Sequence, residues 1–472
     1  MNGIPRAIIV GGGISGLSLA FFLERKGVAV TLVERTGRTG GVIRTSRSAG
    51  FLVEHGPNST MHKPGDESDA LGRLMDALGL LPRIANPAAG RRYVQKMGRL
   101  LPLPGSPSEF LKTPLFSLRG KLGLLREPFR SRGDAEESIA RFVTRRLGAE
   151  FLDWAIDPFI SGVYAGDPDV LSVRAAVPRI HALEERYGSL IRGAIALGRQ
   201  GRVGGMPRGR LISFDDGMER LVTAVQAHLH RAASNAVRCI TGVEGIRIVP
   251  LGGGQWEVRG ANDFSVVGEG VFLAVPACDA APLVAPLSEA ATLELQGIRH
   301  APVVSMALGF DRGGIGHPLD GFGYLIPRRE GMDLLGCLFS STLFPGRADE
   351  GTALLTAFAG GMRHPEVVAL ADEPLTQRVV AGLARALAIG ASPRFVAVTR
   401  YQAAIAQYEM GHLQRVARIS RLLDGWPGLY LCGNFIGGVS VADRIRNSER
   451  LADAWCPARG KEGSCHGTFG CP

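Results

Sequence analysis

The chain of 472 residues has little aromatic content and few cysteines, and it has no long apolar run. No stretch approaches the roughly 20 apolar residues of a membrane-spanning helix, so we expect any contact with a membrane to lie at its surface. Seven scattered cysteines are typical of a reducing compartment and not of a disulfide framework. No secretory signal precedes the first predicted strand, which together with the cysteines indicates a cytoplasmic protein.

Acidic residues are in the minority, with 44 Asp and Glu against 54 Lys and Arg, which gives a formal net charge of +10. This balance favours anionic partners, such as an acidic lipid surface or a polyanionic small molecule. The basic residues form no dense block, so nucleic acid is not an expected partner. The chain also has no internal repeat, and its length predicts two or three lobes.

The stretch "AIIVGGGISGLSLAFFLERKGVAVTLVER", residues 7–35, contains a glycine cluster between two short apolar runs. It predicts a strand, a tight turn, a helix that stops at a glycine, and a second strand. Gly11, Gly13 and Gly16 form GxGxxG, whose glycines permit the turn, the approach of a pyrophosphate, and close packing of helix on strand. Glu34 closes the second strand at the spacing of a ribose-binding carboxylate. The unit therefore predicts a dinucleotide site, with the phosphates at the helix N-terminus.

More glycines and arginines follow the acid in "RTGRTGGVIRTSRSAGFLVEHGPNS". The pattern RxGGxxRT is formed by Arg38, Gly40, Gly41 and Arg44. Adjacent glycines allow a second close approach of the backbone to the same dinucleotide. This pattern, placed just after such an acid, resembles the amine-oxidase-like group of flavoproteins. The resemblance implies that the cofactor is FAD and not NAD.

The chain has no second unit of strand, GxGxxG, helix and acid. A reductase that draws electrons from NAD(P)H usually needs a second dinucleotide site. We therefore expect electrons to enter from a substrate and to leave to oxygen or another diffusible acceptor. Near the C-terminus, "GLYLCGNFIGGVSVADRI" predicts a strand, a glycine-rich turn and a helix whose N-terminus is a second place for phosphate.

The composition changes along the chain and indicates a discontinuous arrangement of domains. We predict an α/β fold in which a Rossmann-like FAD-binding domain is combined with an α+β substrate-binding domain and a helical membrane-associated domain. The FAD-binding domain is assigned to residues 1–85, 206–285 and 421–458. The helical domain is assigned to 86–205, the substrate-binding domain to 286–420, and a tail to 459–472.

Several stretches together resemble the protoporphyrinogen oxidase family, and they extend from residue 11 to about 450. They include "RTGGVIRT", "KMGRLLPLP", "IDPFISGVYAGDPDVLSV", "DGFGYLIP", "LLGCLFSSTLFPGR", "YEMGH" and "GLYLCGNFIGGVSV". The resemblance implies FAD-dependent oxidation of protoporphyrinogen IX to protoporphyrin IX in heme biosynthesis. It implies three rounds of two electrons, with O2 as acceptor and H2O2 as product. The cofactor would carry the oxidation, while the protein positions the substrate and excludes water.

The resemblance also implies roles for individual residues. The substrate-binding candidates are Arg92, Phe322, Leu325 and Phe358, and the catalytic candidates are Asn58 and Gly162. Arg92 would pair with a propionate, because the guanidinium fork matches a carboxylate. Phe322 and Leu325 would sandwich a pyrrole ring, and Phe358 would stack on the macrocycle. Asn58 would lie close to the flavin, and the backbone of Gly162 would face the macrocycle.

The cofactor-contacting positions implied by the resemblance come from separated parts of the chain, so the chain must fold back to form one site. They are Gly11, Gly12, Gly13, Ile14, Ser15, Gly16, Glu34, Arg35, Arg38, Gly40, Gly41, Val42, Gly56, Pro57, Asn58, Ser59, Val243, Asn434, Val439, Ser440 and Val441. Position 42 is valine where some members of the family have a bulky aromatic residue, which alters the packing expected beside the flavin.

The segment "SEFLKTPLFSLRGKLGLLREPFR" alternates Phe and Leu with Lys and Arg, as an interfacial helix would. An ordinary amphipathic core helix fits this pattern equally well. The resemblance and the basic charge favour peripheral attachment to the inner face of a membrane, and the resemblance allows a homodimer. The tail contains Cys456, Cys465, His466 and Cys471 at spacings that fit no standard zinc pattern, so no metal is assigned.

Four alternatives to this function stay open at the level of sequence. A related enzyme would oxidise coproporphyrinogen III on the same flavin, with more carboxylates to satisfy. Another amine-oxidase-like flavoprotein oxidase would need an aromatic cage around its substrate, and a carotenoid desaturase would need a longer apolar tunnel. A membrane-bound scaffold that binds porphyrin without turnover would keep the FAD motifs. Comparing the rates on the two porphyrinogens would distinguish oxidation of protoporphyrinogen IX from oxidation of coproporphyrinogen III.

Overall fold

The structure is a computed structural model that describes residues 4–456, apart from residues 67, 134, 200–208 and 233–235. The predicted tail, with Cys465, His466 and Cys471, lies outside the described residues. Where residues are described, no helix is both long enough and apolar enough to cross a bilayer.

Most strands are short, and two strands of twelve residues, which come late in the chain, are the exceptions. In chain order the described strands are β1 Arg6–Val10, β2 Ala29–Val33, β3 Thr45–Ser48, β4 Phe51–Glu54, β5 Thr60–His62, β6 Arg83–Ile84, β7 Arg91–Lys96, β8 Arg99–Pro102, β9 Arg210–Ser213, β10 Val237–Ile240, β11 Arg247–Gly252, β12 Gln255–Arg259, β13 Ser265–Gly268, β14 Gly270–Leu273, β15 His300–Asp311, β16 Gly321–Leu325, β17 Leu334–Leu338, β18 Thr352–Gly360, β19 Phe395–Ala406 and β20 Leu429–Leu431.

The helices concentrate between residues 107 and 199 and around the first sheet. In chain order they are α1 Ile14–Glu24, α2 Ala70–Ala77, α3 Pro107–Lys112, α4 Leu118–Gly123, α5 Ile139–Arg146, α6 Ala149–Phe151, α7 Asp157–Tyr164, α8 Val173–Ala176, α9 Pro178–Tyr187, α10 Leu190–Arg199, α11 Glu219–Arg231, α12 Ala277–Val284, α13 Glu289–Gln296, α14 Ser340–Leu343, α15 Asp372–Leu387, α16 His412–Leu423 and α17 Val441–Trp455. Short 3₁₀ turns lie at Pro87–Ala89, Leu124–Phe129, Arg312–Gly314, Arg328–Glu330 and Pro365–Ala369, and a π-helical turn at Leu152–Ile156.

The first sheet is parallel and has the order β10-β2-β1-β14-β20. Its central strands β1 and β14 are apolar and buried on both faces, as expected of a parallel sheet between layers, and the edge strands β10 and β20 are partly exposed. Helices α1, α11 and α17 cover one face through Phe21, Leu221 and Ile445. The antiparallel sheet β11-β12-β13 and helix α12 cover the other face, where Trp256 and Ala280 are buried. The strands come from three separated parts of the chain, and the predicted Rossmann-like α/β arrangement is confirmed.

The second sheet has seven strands in the order β19-β15-β18-β17-β16-β7-β8. Its pairs are antiparallel except for β16 and β7, which run parallel. Helix α15 packs on one face, where Val379 and Leu383 meet Tyr324 and Leu355 in a common core. Because side chains alternate along a strand, the residues between these point to the opposite face.

One part of the chain differs from the sequence prediction. Residues 86–205 were assigned to a helical domain, but Arg91–Lys96 and Arg99–Pro102 form a hairpin of the seven-stranded sheet. The hairpin closes at Met97 and Gly98, whose φ angles of 54° and 72° are both positive, as a tight two-residue turn requires. The substrate-side sheet therefore includes residues from before the helical segment. The other predicted domain boundaries stay predictions.

Candidate active site

The glycine turn between β1 and α1 has the geometry that the sequence predicted. Gly11 has a φ of +107°, and a Cβ built on it would lie 2.6 Å from the Ala274 carbonyl oxygen. A Cβ on Gly16 would lie 1.9 Å from the Gly11 carbonyl oxygen, so neither position accepts a side chain. A Cβ on Gly13 would contact nothing within 4 Å. The space above Gly13 is therefore open, at the N-terminus of a helix whose first turn, Ile14 and Ser15 included, holds no acid.

Glu34 joins the turn to the end of the second strand. One carboxylate oxygen accepts from the Gly12 amide at 2.7 Å, and the other accepts from the amide and hydroxyl of Thr36, each at 2.8 Å. The Val243 amide donates to the Glu34 carbonyl oxygen at 3.1 Å, so these two predicted residues are neighbours. Arg35 points outward and lies 3.7 Å from the Asp279 carboxylate.

The second glycine pair lies directly on the first turn. The Gly40 amide donates to the Gly12 carbonyl oxygen at 2.7 Å, and a Cβ on Gly41 would lie 3.0 Å from the Gly13 Cα. Arg38 holds this loop from inside by donating to the carbonyl oxygens of Thr39, Gly41 and Ile43. The structure therefore brings the two glycine motifs together, as their sequence positions predicted.

The turn at residues 56–59 lies beside Val42, whose side chain is half exposed. A Cβ on Gly56 would lie 2.1 Å from the Val42 carbonyl oxygen, so Gly56 and Pro57 follow that loop closely. The Tyr401 hydroxyl donates to the carbonyl oxygens of Val42 at 3.4 Å and of His55 at 3.3 Å. Tyr401 lies on the edge strand of the second sheet. Its hydroxyl therefore contacts both the loop at Val42 and the turn that begins after His55.

The C-terminal turn reaches the same edge of the first sheet. It follows β20, which lies two places from β1, so the turn at Gly433–Gly438 and the turn at Gly11–Gly13 both leave the carboxyl edge of the parallel strands. Ligands of doubly wound sheets bind at this edge. Ser440 caps α17 by accepting from the Asp443 amide, with Val439 before it and Val441 as the first helical residue. Ser448 of α17 donates to the Ser15 carbonyl oxygen at 2.9 Å.

The arrangement fits a dinucleotide that carries phosphates. The N-terminus of α1 and the turn before α17 both lie at the carboxyl edge of the sheet, where Gly13 leaves open space. Asn434 lies in the C-terminal turn, and its side-chain nitrogen lies 3.4 Å from the Ala404 carbonyl oxygen. The predicted cofactor residues thus surround one cradle, which we call the dinucleotide cradle.

An apolar strip crosses the second sheet on the face opposite α15. Leu325 of β16 pairs with Gly336 of β17, and Gly336 pairs with Phe358 of β18. The three residues form one row, in which two half-buried apolar side chains flank the glycine, and a Cβ on Gly336 would lie 3.3 Å from a terminal methyl group of Leu325. At the usual strand spacing, the backbones of Leu325 and Phe358 are about 10 Å apart. We call this row the apolar strip.

Helix α7 covers one end of the apolar strip. A Cβ on Gly162 would lie 2.5 Å from a terminal methyl group of Leu325, so the helix approaches the strip most closely at this glycine. The start of α7 is fixed by Asp157, which is 4% exposed and accepts from the Arg328 amide at 2.8 Å and from the Arg363 guanidinium. Arg328 follows β16 and Arg363 follows β18. The Asp157 carboxylate therefore connects α7 to two of the three strands that form the strip.

Arg92 and Phe322 lie together at the β7 side of the second sheet. The guanidinium of Arg92 lies over the Phe322 ring, 5.2 Å from its centroid, as in a cation–π contact. Arg92 is exposed, while its neighbour Arg91 forms an ion pair with Asp320 at 2.6 Å. Arg92 therefore presents a cation next to an aromatic ring on the same sheet as the apolar strip.

Asn58 links the cradle to the strip. Its side-chain oxygen lies 3.5 Å from the hydroxyl of Thr356, a residue on the same face of β18 as Phe358, and its amide nitrogen lies 3.4 Å from the Gly56 carbonyl oxygen. A second link runs from His55 to Thr399, with 2.8 Å between the imidazole nitrogen and the hydroxyl oxygen. The dinucleotide cradle and the apolar strip are therefore adjacent, with Asn58 between them.

Comparison with known proteins defines the class. The family model described as flavin containing amine oxidoreductase matches residues 14–454, so the chain belongs to this family. The protein is accordingly an FAD-dependent oxidoreductase, and its cofactor is FAD.

Particular relatives carry two names. Coproporphyrinogen III oxidase of Bacillus subtilis is 29% identical over 467 residues, covering 94% of this chain and 96% of the relative. The chloroplastic protoporphyrinogen oxidase of Oryza sativa subsp. japonica is 33% identical over 482 residues, covering 94% of this chain and 87% of the relative. A crystal structure from Exiguobacterium sp. 255-15, provisionally named a protoporphyrinogen oxidase, has a TM-score of 0.81 at 24% identity and covers 96% of this chain and 99% of its own, which supports the fold.

Several residues around the site were not found from the sequence. Gly336 in the apolar strip, Tyr401 at the two loops and Asp157 at the base of α7 act through tertiary contacts between distant segments. Tyr408 and His412 were also not singled out, although both lie in the quoted stretch "YEMGH", four residues apart, just as Asp157 and Gly336 lie in two other quoted stretches. Their contacts are described below.

Proposed function

We propose that this protein oxidises a porphyrinogen to the corresponding porphyrin, with O2 as the electron acceptor. The observation that carries the proposal is the apolar strip of Leu325, Gly336 and Phe358 beside the dinucleotide cradle, covered at one end by Gly162. An apolar macrocycle is suited to such a surface, because it buries apolar area against these side chains. The shared names of the relatives support the same substrate class.

The overall reaction removes six electrons and six hydrogens from the porphyrinogen in three rounds. FAD, when bound, accepts two electrons in each round, and O2 takes them up as H2O2. The protein's own part is to place one reacting carbon of the macrocycle next to the cofactor and to keep water out. Gly162 allows the close approach of α7, and Asn58 lies at the junction between cradle and strip.

The polar part of recognition is assigned to Arg92. An exposed guanidinium that lies over an aromatic ring can pair with a carboxylate while the ring contacts the macrocycle. In the proposal, Phe322 and Leu325 contact one pyrrole ring, Arg92 binds its propionate, and Phe358 stacks on the macrocycle. The remaining propionates would extend toward solvent at the open side of the strip.

The proposal takes protoporphyrinogen IX as the substrate, and coproporphyrinogen III is the second candidate. Coproporphyrinogen III is kept as a candidate substrate because the Bacillus subtilis relative aligns with 94% of this chain, the same share as the Oryza sativa relative. The test is to give the purified FAD-loaded protein each porphyrinogen separately under air, and to follow O2 consumption together with porphyrin fluorescence. A higher kcat/KM on protoporphyrinogen IX supports the first candidate, and a higher value on coproporphyrinogen III selects the second. Bound FAD without fluorescence from either compound would reject both.

We also propose that the protein attaches peripherally to the inner, cytoplasmic face of a membrane. The support is a surface on α3, α4 and the following 3₁₀ turn, which we call the leucine patch. Its exposed residues are Leu111, Leu118, Leu122, Leu125 and Phe129, with Lys112, Arg119 and Arg126 exposed among them. Exposed apolar side chains surrounded by cations are suited to an anionic lipid surface. The homodimer stays a prediction.

A further inference from the structure

The turn between β20 and α17 is held in an unusual way. It contains five successive carbonyl groups, from Gly433 to Gly437, and each accepts a hydrogen bond from a side chain outside the turn. The donors are Arg444 to Gly433 and Ile436, Tyr408 to Asn434, His412 to Phe435, and Asn447 to Ile436 and Gly437. We call these four side chains the carbonyl clamp.

Three of the four clamp residues are buried, and Asn447 is half-buried. Arg444 and His412 are each 4% exposed and Tyr408 is 3% exposed. The rings of Tyr408 and His412 stack with their centroids 4.2 Å apart and their planes 12° apart. Burial lowers the pKa of His412 to about 4, so the ring is neutral near pH 7 and carries the proton that it donates on Nε2. Burying three polar side chains around one short turn is costly unless the turn needs a defined conformation.

Clamping the carbonyl groups fixes the amide groups as well. In a peptide unit the C=O of one residue and the N–H of the next point in opposite directions. The amides of Asn434, Phe435 and Gly437 therefore point away from the carbonyl oxygens that the clamp holds, and they donate to no atom in the described part of the chain. The other two amides differ, because Ile436 donates to the Gly433 carbonyl oxygen and Gly438 to the Tyr408 hydroxyl. Phe435 is fully buried, so its amide is a buried donor without a partner among the described residues. These donors lie at the carboxyl edge of the first sheet, where the dinucleotide cradle is.

We propose that the carbonyl clamp holds these three amides toward FAD and thereby raises the reduction potential of the flavin. Fixed N–H dipoles stabilise negative charge on a nearby group, and the flavin gains negative charge when it is reduced. The N-terminus of α17, which begins at Val441 directly after this turn, acts with the same sign. Tyr408, His412, Arg444 and Asn447 are positioning residues in this account, because they act through the backbone of the turn. The inference rests on bound FAD and not on the identity of the substrate.

The test compares two substitutions of the same kind. Tyr408→Phe removes the hydroxyl that donates to the Asn434 carbonyl oxygen and accepts from the Gly438 amide, both at 2.9 Å, and keeps the ring. Tyr93→Phe is the control, because it also removes the hydroxyl of a buried ring, one that donates to the Asp320 carboxylate beside the second sheet and not to the turn. Both variants are purified with FAD, and the flavin midpoint potential is measured at pH 7 against a reference dye, without any porphyrinogen.

We expect Tyr408→Phe to weaken the binding of reduced FAD relative to oxidised FAD about tenfold. For a two-electron couple this lowers the midpoint potential by about 30 mV. Tyr93→Phe should keep the wild-type potential. Loss of FAD from Tyr408→Phe alone would also support the clamp. Equal potentials in all three proteins, or the same change in both variants, would overturn it.

A second pair of variants tests whether a change in the midpoint potential comes from the lost hydrogen bond or from altered side-chain packing. His412→Gln keeps an N–H donor that can reach the Phe435 carbonyl oxygen, while His412→Leu keeps the volume and loses the donor. The clamp predicts that the glutamine variant retains most of the wild-type potential and that the leucine variant lowers it. If both variants lowered the potential equally, the hydrogen bond would not be the cause. Because no substrate is present, a failure of the proposed porphyrinogen oxidation would not affect this result.

Discussion

Neighbouring arginines on β7 have different surroundings, which decide what each can do. Arg91 forms an ion pair with Asp320, which also accepts from the Tyr93 hydroxyl at 2.7 Å. Arg92 lies over Phe322 and keeps its guanidinium exposed. Alternation along the strand places the two side chains on opposite faces of the sheet. Only Arg92 therefore lies on a surface where it can take a new anionic partner.

Replacing Arg92 by alanine should weaken the binding of substrate more than it slows the chemical step. A charge-assisted hydrogen bond contributes about 1.5 kcal/mol or more, so we expect KM to rise about tenfold with kcat nearly unchanged. Steady-state rates by porphyrin fluorescence measure both constants. Arg91→Ala is the matched control and should leave KM within about twofold, because its ion pair is exposed. An unchanged KM for Arg92→Ala would remove this residue from the site.

At the residue scale, the sequence was sufficient to predict the role of a glycine when that role depends on neighbouring residues in the chain. The contacts of Gly11 and Gly16 follow from a turn that is encoded within a few residues, and so do those of Gly40 and Gly41. Gly336 has its effect only because β16 and β18 lie on either side of it, and no local pattern shows that pairing. Arg444 likewise gives no signal in the sequence. Its role appears only in the structure, where it donates to the Gly433 and Ile436 carbonyl oxygens in the turn before its own helix.

The element scale shows one clear difference from the sequence pattern in the segment after β8. The alternation of Phe and Leu with Lys and Arg suggested a single interfacial helix, but the structure has α3, α4 and a 3₁₀ turn. Pro114 interrupts the segment after α3, because proline and the residue before it disfavour a helix. Leu115 and Phe116 turn into the core at that break, while Leu118 and Leu125 stay exposed. The apolar residues of this segment are therefore divided at Pro114 into a buried pair, Leu115 and Phe116, and the exposed leucine patch.

The leucine patch gives a prediction about membranes. Leu118 and Leu125 are 72% and 70% exposed, so Leu118→Asp combined with Leu125→Asp should leave the fold intact. Each leucine that enters the lipid interface contributes about 1.5 kcal/mol or more, so the double variant should lose at least tenfold in binding to phosphatidylcholine vesicles that contain phosphatidylglycerol. Co-sedimentation measures the bound fraction. The control is Leu81→Asp with Leu293→Asp, two exposed leucines elsewhere, which should bind like the wild type. Equal binding by both double variants would exclude the patch.

The hairpin of β7 and β8 was missed for a physical reason. Its turn, Met97-Gly98, adopts positive φ at both residues, but methionine is not a typical turn residue and gives no signal. Glu330 compensates by accepting from the Met97 amide at 2.7 Å and from the Gly98 amide at 3.1 Å. A carboxylate more than two hundred residues away thus stabilises a turn that local sequence does not predict.

At the scale of the whole molecule, β4 and the turn that follows it are joined to the second sheet by buried polar contacts next to the site. Arg347, which precedes β18, forms an ion pair with Glu54 of β4 at 2.7 Å, and both side chains are less than 5% exposed. Burial raises the pKa of Glu54, and burial lowers the pKa of Arg347, so each ion depends on the other to stay charged. With Asn58 and His55, this pair keeps the dinucleotide cradle and the apolar strip in fixed register.

The central claim is that FAD in the cradle and a porphyrinogen on the apolar strip are close enough for direct electron transfer. The most direct measurement is anaerobic mixing of the FAD-loaded protein with protoporphyrinogen IX or with coproporphyrinogen III, followed by the visible absorption of the flavin. We predict that the flavin band bleaches with at least one of them, at a rate that saturates as the porphyrinogen concentration rises. A flavin that stays oxidised with both compounds, although dithionite reduces it, would contradict the account.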